Sequence, residues 1–333
     1  MPKSSLLKPT DQPVDRSLDQ TLRPTKLVDF IGQATLKKTL EIALVAARQR
    51  QDPLDHLLLY GPPGLGKTTL SYIVANELSS KLHITSGPAI ARAGDLASIL
   101  TNLKTFDVLF IDEIHRLNKT IEETLYSAME EFRLDIVLGK GPAARNVRIK
   151  LKPFTLIGAT TKYGALTSPL RSRFGLIQKL NFYDLPEIEQ IIKRSAEVLQ
   201  IEITPEAIAQ LAKRSRGTPR IANRLLKRAR DVAEVNFRGI ITPQSLQKTF
   251  ELLKIDDLGL DEADRQVLKI IIKNHRGGPV GLGTIANSLS EDLQTVEEVY
   301  EPYLIQAGLL ARTKQGRLAT EKAYHHLGFE YEA

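Results

Sequence analysis

From His56 to about Leu180, short apolar runs at Leu57–Tyr60, Val108–Ile111 and Thr155–Ala159 alternate with longer stretches of helical character. That alternation predicts a parallel α/β sheet. Each run ends in polar residues, and open α/β sheets bind ligands beyond the carboxyl ends of their strands, so those residues should converge on one crevice. From Pro186 to about Leu253 the strand signals vanish, and three or four helical stretches follow, one of them opening at the cap-like Thr204-Pro205-Glu206. This predicts a small all-helical domain. After Asp256-Asp257, apolar periodic stretches cover Ala263–Ile272, Leu282–Leu289 and Val296–Ile305. They are followed by Leu309–Arg312, a turn at Thr313-Lys314-Gln315-Gly316 and Arg317–Ala319, so three helices and a β-hairpin predict a winged helix-turn-helix. Leu134–Leu151 reads as another hairpin, going out along Leu134–Leu138, turning over Gly139–Arg145 and returning along Val147–Ile149. Its apolar content is high for a free hairpin, and a buried local cluster would account for that. The first 20 residues lack periodicity and carry Pro2, Pro9 and Pro13, which predicts a mobile tail with order starting near Leu22-Arg23-Pro24.

Composition narrows the class. The 333 residues suffice for two or three domains, and 42% hydrophobic with 26% charged residues is ordinary globular usage, which excludes a wholly disordered chain. No apolar run approaches the roughly 20 residues that a membrane span needs, so no membrane partner is expected. The absence of cysteine excludes disulfides and thiolate metal sites and suits a reducing cytoplasm. A formal charge of +7 favours an anionic partner such as nucleic acid.

The strand ends carry the chemistry. Gly61-Pro62-Pro63-Gly64-Leu65-Gly66-Lys67-Thr68 fits G-x-x-x-x-G-K-T between a strand and a helix beginning at Thr69. Its glycines let successive backbone N–H groups turn inward, and the helix N-terminus adds positive potential, so the loop should cradle phosphates. Lys67 would contact the β- and γ-phosphates and Thr68 would place its hydroxyl on Mg²⁺. Some 45 residues later Val108–Ile111 ends in Asp112-Glu113. Asp112 would hold Mg²⁺ through water, and Glu113 would orient or deprotonate the attacking water. His115 in the same cluster reads as a satisfied structural histidine. Gly158-Ala159-Thr160-Thr161 ends a third strand, where either Thr160 or Thr161 is a candidate γ-phosphate sensor. In Ser168-Pro169-Leu170-Arg171-Ser172-Arg173-Phe174 two arginines precede a strand, and a transferring phosphoryl group benefits from an arginine supplied by a neighbouring subunit. Gly217-Thr218-Pro219-Arg220 opens a helix within Pro205–Arg230, a segment with eight Lys or Arg against one acid. Most of those charges read as a solvated face, but Arg220 sits where it would reach back to the phosphates.

These motifs, in this order, look like the AAA+ ATPases. More narrowly, Leu22-Arg23-Pro24, Gly61–Leu70, Gly158–Thr161, Gly217-Thr218-Pro219-Arg220-Ile221-Ala222-Asn223-Arg224-Leu225-Leu226 and Gly277–Leu282 resemble the RuvB family of bacterial Holliday-junction branch-migration motors over about residues 20 to 330. The resemblance implies a tail at 1–20, an ATPase domain at 21–182 carrying the hairpin 134–151, a helical lid at 183–255 and a DNA-binding winged helix at 256–333. It implies an ATP-driven DNA translocase that binds ATP, ADP and Mg²⁺ and assembles as a homohexamer around duplex DNA at Holliday junctions, in recombination and repair. RuvA, docked through the hairpin, and the RuvC resolvase are the implied partners, and the cytoplasm is the implied location. By position, Leu22 and Arg23 would line the adenine pocket with Tyr183 and Glu130-Glu131-Phe132 nearby, and Gly64, Gly66, Lys67, Thr68 and Thr69 would surround the phosphates. Arg173 would be the finger given in trans, with Arg171 the weaker candidate, and Arg220 the lid sensor, while the choice between Thr160 and Thr161 as γ-phosphate sensor stays open. Arg312 and Arg317 flank the wing turn and would contact DNA phosphates without reading sequence. Two other readings stand beside this one: a clamp-loader-type switch that remodels a protein on DNA, and a nucleotide-gated DNA-binding regulator. Glu113 and the Arg173 segment argue against the regulator, since a pure binder needs no hydrolytic apparatus.

Overall fold

The computed structural model describes residues 21–138 and 145–331. The expected tail at 1–20 and positions 139–144 of the expected turn lie outside the described residues. The chain forms two compact units, one of Arg23–Gly61 with Leu65–Asn181, the other of Pro62–Gly64 and Phe182 onward with Leu22.

The first unit is built on a five-stranded parallel sheet of β1 (Leu57–Tyr60), β2 (Leu82–Ser86), β3 (Val108–Asp112), β6 (Thr155–Thr160) and β7 (Leu176–Lys179), in the order β2-β3-β6-β1-β7. The inner strands are apolar on both faces because helices cover both sides; Leu57, Leu58 and Leu59 and all of Val108–Ile111 are fully buried. The edge strand β2 is only half-buried and includes His83 and Thr85, so its polar content hides it from a search for apolar runs. Since β3, β6 and β1 are neighbours in parallel register, Ile111 opposite Gly158 and Tyr60 opposite Thr160, their carboxyl ends line one edge. The expected hairpin forms from β4 (Arg133–Leu138) and β5 (Arg145–Lys150), antiparallel, with Leu134 opposite Ile149. Its base is rooted in the core through Leu134 and Leu151, both buried, while Val147 on the returning strand is exposed.

The second unit begins with four helices, Leu185–Val198, Pro205–Arg214, Pro219–Asn236 and Pro243–Leu253. Proline at the start of each costs no hydrogen bond, because the first N–H groups of a helix have no intrahelical acceptor. Asp184, Thr204 and Thr242 supply side-chain caps. These helices are joined by a two-residue parallel ladder, β8 (Glu202–Ile203) with β9 (Ile240–Ile241), too short to register as a strand in sequence. Beyond them, helices Glu262–Lys269, Leu282–Leu289 and Glu301–Gln306 pack around Leu268, Ile271, Ile285, Tyr300 and Leu304. The wing is β10 (Leu310–Arg312) against β11 (Arg317–Ala319), with Arg312 opposite Arg317. A closing helix, Glu321–Leu327, was not expected.

One buried side chain ties three parts of the first unit together. The backbone N–H of Leu156 donates to His56 Nδ1 at 2.9 Å, which puts the ring proton on Nε2, and that atom donates to the Met129 carbonyl at 3.0 Å. The ring lies between Phe132 and Phe154, at 6.3 and 5.6 Å. Burial lowers the His56 pKa below 6.5, outweighing the pull of the Met129 hydrogen bond and Asp55. The unfolded chain therefore takes up this proton first as pH falls, so the stabilisation is complete above pH 6.5 and lost as pH drops toward the folded-state pKa. His56→Leu strands a donor and an acceptor and should cost roughly 2–4 kcal/mol. Urea denaturation at pH 8 and pH 5.5 should show the gap between wild type and variant narrowing at the lower pH.

Candidate functional site

The phosphate loop owes its shape to three glycines. Gly61, Gly64 and Gly66 have φ of 139°, 79° and 103°, values that side chains with a β-carbon resist. Gly66 hands the chain directly to the helix Lys67–Glu77, whose first N–H groups have no acceptor within the helix. The Lys67 ammonium is buried and donates to the Gly61 carbonyl at 2.8 Å, so it lies folded against the loop it would serve. Thr68 and Thr69 occupy the first helical turn, and Ser71 braces that turn by donating to the Thr68 carbonyl at 2.7 Å. A glycine-shaped loop, a helix N-terminus and an ammonium are together an arrangement that could hold a polyphosphate.

The neighbouring strand ends deliver the remaining groups. Asp112 closes β3, and its Oδ1 accepts the Glu113 N–H at 2.9 Å, which helps hold Glu113 in a left-handed conformation at φ 48°. The Glu113 carboxylate meets Arg116 Nη1 at 3.0 Å, an exposed pair of small energetic weight. The two threonines after β6 differ. Thr160 Oγ1 lies 2.9 Å from His115 Nδ1 and accepts the Lys162 N–H at 3.0 Å. The Thr161 hydroxyl oxygen is buried with no hydrogen-bond partner among the described residues. His115 is thus a structural partner of Thr160, as its sequence context suggested.

Arg173 follows the short helix Ser168–Ser172, donates to the Pro169 carbonyl at 2.6 Å and to Glu130 at 3.2 Å, and lies 4.3 Å above the Tyr126 ring. Arg171 instead lies over Tyr163 at 5.1 Å. Glu130, Glu131 and Phe132 do not share an environment: Glu130 holds Arg173, Glu131 pairs with Arg133, and the Phe132 ring turns inward against His56 and Phe154. Glu122, Tyr126 and Thr167 were missed in the sequence. The signal was present, because residues 122, 126 and 130 fall at i, i+4, i+8 on one helix face.

In the first unit Arg23 stacks over Tyr72 at 4.0 Å. In the second, Leu22 is buried and its carbonyl accepts Arg194 Nη1 at 2.8 Å, while Tyr183, also buried, donates its N–H to the Gly217 carbonyl at 2.9 Å. The Arg220 N–H points at the Gly64 carbonyl, 3.4 Å away, and a β-carbon on Gly64 would stand 2.8 Å from Thr218 Cγ2. On the wing Arg312 is exposed, whereas the Arg317 guanidinium grips the buried Glu301 with both arms, at 2.8 and 3.2 Å.

Comparison with known proteins covers nearly all of this architecture. Family models described as the Holliday junction DNA helicase RuvB P-loop domain, the RuvB AAA lid domain and the RuvB C-terminal winged helix domain match residues 22–180, 183–256 and 257–328. The Holliday junction branch migration complex subunit RuvB of Thermotoga maritima is 58% identical over 311 residues, 93% of this chain and 93% of its own. The RuvB subunit of Dehalococcoides mccartyi is 58% identical over 318 residues, covering 96% and 91%. The solved structure of the Thermotoga maritima RuvB Holliday junction branch migration motor superposes with a TM-score of 0.87 at 55% identity, covering 94% of this chain and all of that one.

The loop geometry yields a direct test. A β-carbon at Gly61 would stand 2.4 Å from the Leu180 carbonyl oxygen, at a φ that already disfavours alanine. Gly61→Ala should displace the loop and weaken binding of a fluorescent ATP analogue about tenfold or more, a loss of roughly 1.4 kcal/mol or greater, with little change in far-UV circular dichroism. Unaltered affinity would show that the loop tolerates this displacement.

Proposed function

The chain belongs to the RuvB family, and from that premise we propose that it is an ATP-hydrolysing motor that drives branch migration of Holliday junctions as a homohexameric ring on duplex DNA. The observation that carries this reading is the succession of three family matches over residues 22–180, 183–256 and 257–328, set on a parallel sheet whose adjacent strand ends present the phosphate loop and the acidic pair. No observation favours the clamp-loader or regulator readings over it.

In the proposed reaction Lys67 exchanges the Gly61 carbonyl for phosphate oxygens, while the N–H groups of the loop and of the first helical turn hold the polyphosphate. Glu113 orients the attacking water and takes its proton as the new P–O bond forms, and ADP departs as the bond between γ-phosphorus and the bridging oxygen breaks. Thr161 donates its hydroxyl to the γ-phosphate or to that water. Its buried oxygen, without a partner in the protein, supports it over Thr160, whose hydroxyl is already engaged. The Thr68 hydroxyl and the Asp112 carboxylate are hard oxygen donors of the kind Mg²⁺ prefers. When bound there, the ion neutralises charge on the β- and γ-phosphate oxygens. Arg173 acts on the nucleotide of the adjacent subunit; its position just beyond a short capped helix, with a guanidinium already oriented, supports it over Arg171. Arg220, whose backbone meets Gly64 in the loop, senses the nucleotide from the lid. Leu22 and Arg23 would line the adenine pocket with Tyr183 nearby, whereas the Phe132 ring is turned into the core.

Arg312 on the wing contacts DNA phosphates. Arg317 would do so only by exchanging a carboxylate partner for a phosphate. The hairpin docks RuvA, supported by the exposed Val147 on its returning strand, and RuvC takes the junction afterwards. Such phosphate contacts are indifferent to sequence, which suits a motor that must traverse any duplex.

A synthetic four-way junction incubated with this protein, RuvA and ATP should dissociate into duplexes; absence of ATP-dependent dissociation would sink the proposal. Lys67→Ala should abolish nucleotide binding. Arg173→Ala should bind ATP normally yet lose about 10³-fold or more in turnover, the usual worth of an arginine given in trans. Arg312→Ala should weaken duplex binding alike for all sequences and reduce the slope of log affinity against log salt by about one. Titrations on two unrelated duplexes over a range of salt would measure this, and a sequence-dependent loss would point to base contacts instead.

A further inference from the structure

Beneath Arg173 lies a buried network that the hydrolytic chemistry does not use. Glu122 is 4% exposed, and an ionised carboxylate is expensive to bury unless strong donors compensate it. Here the Thr167 hydroxyl donates to Glu122 Oε2 at 2.7 Å, and the Tyr126 phenol oxygen lies 3.0 Å from Thr167 Oγ1 and 3.2 Å from the same carboxylate oxygen. The Thr167 and Tyr126 hydroxyls both donate to Glu122 Oε2, and the phenol oxygen also touches Thr167 Oγ1, so the relay joins phenol, hydroxyl and carboxylate. Thr167 also caps the helix Ser168–Ser172 by accepting the Leu170 N–H at 3.4 Å, and this helix leads directly into Arg173. Capping alone needs only the threonine. The carboxylate and the phenol add something else: they fix the plane of the Tyr126 ring, on which the Arg173 guanidinium rests at 4.3 Å while Pro169 and Glu130 take its N–H groups.

We propose that Tyr126, held by Thr167 and Glu122, is a positioning residue that presets the Arg173 guanidinium for delivery to the neighbouring subunit's nucleotide. An unrestrained arginine side chain carries substantial rotamer entropy, and a finger that must be re-ordered at every firing would lose it each time. Stacking on a fixed ring removes that cost in advance, as preorganisation does in general. The Glu130 carboxylate keeps the fork paired until phosphate oxygens replace it.

The inference rests on the assignment of Arg173 as a finger acting in trans, and the experiment separates the two. Tyr126→Leu removes the ring face, Tyr126→Phe keeps the face and loses only the hydroxyl, and Glu113→Gln gives a subunit with a dead site but an intact finger. Assembled on DNA, Tyr126→Leu should lose about tenfold or more in kcat, with KM for ATP and the affinity for a fluorescent ATP analogue within about twofold of wild type, whereas Tyr126→Phe should lose only about two- to threefold. Mixing Tyr126→Leu with Glu113→Gln in equal amounts should raise turnover above either protein alone, because Tyr126→Leu sites then receive sound fingers. Arg173→Ala mixed with Glu113→Gln is the reference for such rescue. Rescue of Arg173→Ala but not of Tyr126→Leu overturns the positioning role, since a defect in a subunit's own fold or site cannot be repaired by its neighbour. Failure of both mixtures overturns the trans assignment and this inference with it. If Tyr126→Leu does not fold or assemble, Tyr126→Met, which also removes the ring face but fills more of its space, takes its place under the same criteria.

Discussion

The loop that would hold the polyphosphate can exist only because main chain passes against main chain with no side chain between. At Gly61 an added β-carbon would stand 2.4 Å from the Leu180 carbonyl oxygen, and at Gly87, just beyond β2, it would stand 2.4 Å from the Glu113 carbonyl oxygen. The first contact clamps the phosphate loop against the chain leaving β7; the second clamps the turn that carries the acidic pair against the chain leaving β2. Both sit at the carboxyl edge of the sheet, where parallel strands end together and where the fold already aims its functional groups. Hydrogen bonds finish what contact begins, from Gly61 N–H to the Thr160 carbonyl and from Leu180 N–H to the Tyr60 carbonyl, so the start of the loop is tied to the ends of β6 and β7.

Much of this was legible in sequence because buried parallel strands are written as apolar runs, and the three inner strands were found from that signal alone. The edge strand β2 was not, since an edge needs burial on fewer sides and tolerates His83 and Thr85. The ladder of β8 and β9 escaped because two residues carry no periodicity. In the helical part of the second unit, Thr204-Pro205 and Thr218-Pro219 marked two helix starts, since proline at the first turn answers to the unpaired N–H groups of a helix start. Site residues contributed by a single motif were visible; those whose meaning depends on a partner far along the chain were not. Glu122 and Thr167 are 45 positions apart, and only the fold brings their oxygens within 2.7 Å.

The positive charge also reads differently once its partners are known. Arg216 is 4% exposed and carries a left-handed backbone; it pairs with the fully buried Asp264, donates to the Gly259 carbonyl at 2.8 Å and stacks on Tyr303 at 4.8 Å. Burial pushes the Asp264 carboxyl up to about 7 despite the pull of Arg216, so desolvation outweighs the Coulomb attraction. Such a pair adds little to net stability but is costly to break, and it joins the turn before the helix Pro219–Asn236 to the first turn of the helix Glu262–Lys269. Arg317 is spent in the same way on Glu301. The 46 Lys and Arg residues therefore overstate how many cations are free to face a phosphate backbone, which leaves the exposed Arg312 the stronger phosphate candidate on the wing.

The two threonines at the end of β6 show the same logic from the opposite side. Both carry a hydroxyl and either fits the motif, so sequence has no means of choosing between them. Inside the fold one oxygen is satisfied twice, by His115 and by the Lys162 N–H, and the other is buried with no partner among the described residues. A buried hydroxyl without a hydrogen bond costs on the order of 1–3 kcal/mol, and protein interiors rarely tolerate that without a compensating use. Thr161, one residue past a strand end that shares its edge with the phosphate loop, has such a use if a phosphate oxygen or a water is its partner during turnover. Arg173 is the contrasting case, a group held by partners it must leave. The proposed site thus combines one polar atom that lacks a partner in the protein with one cation whose present partners, a carbonyl, a carboxylate and a ring face, are all weaker than the charge developing on a transferred phosphoryl group.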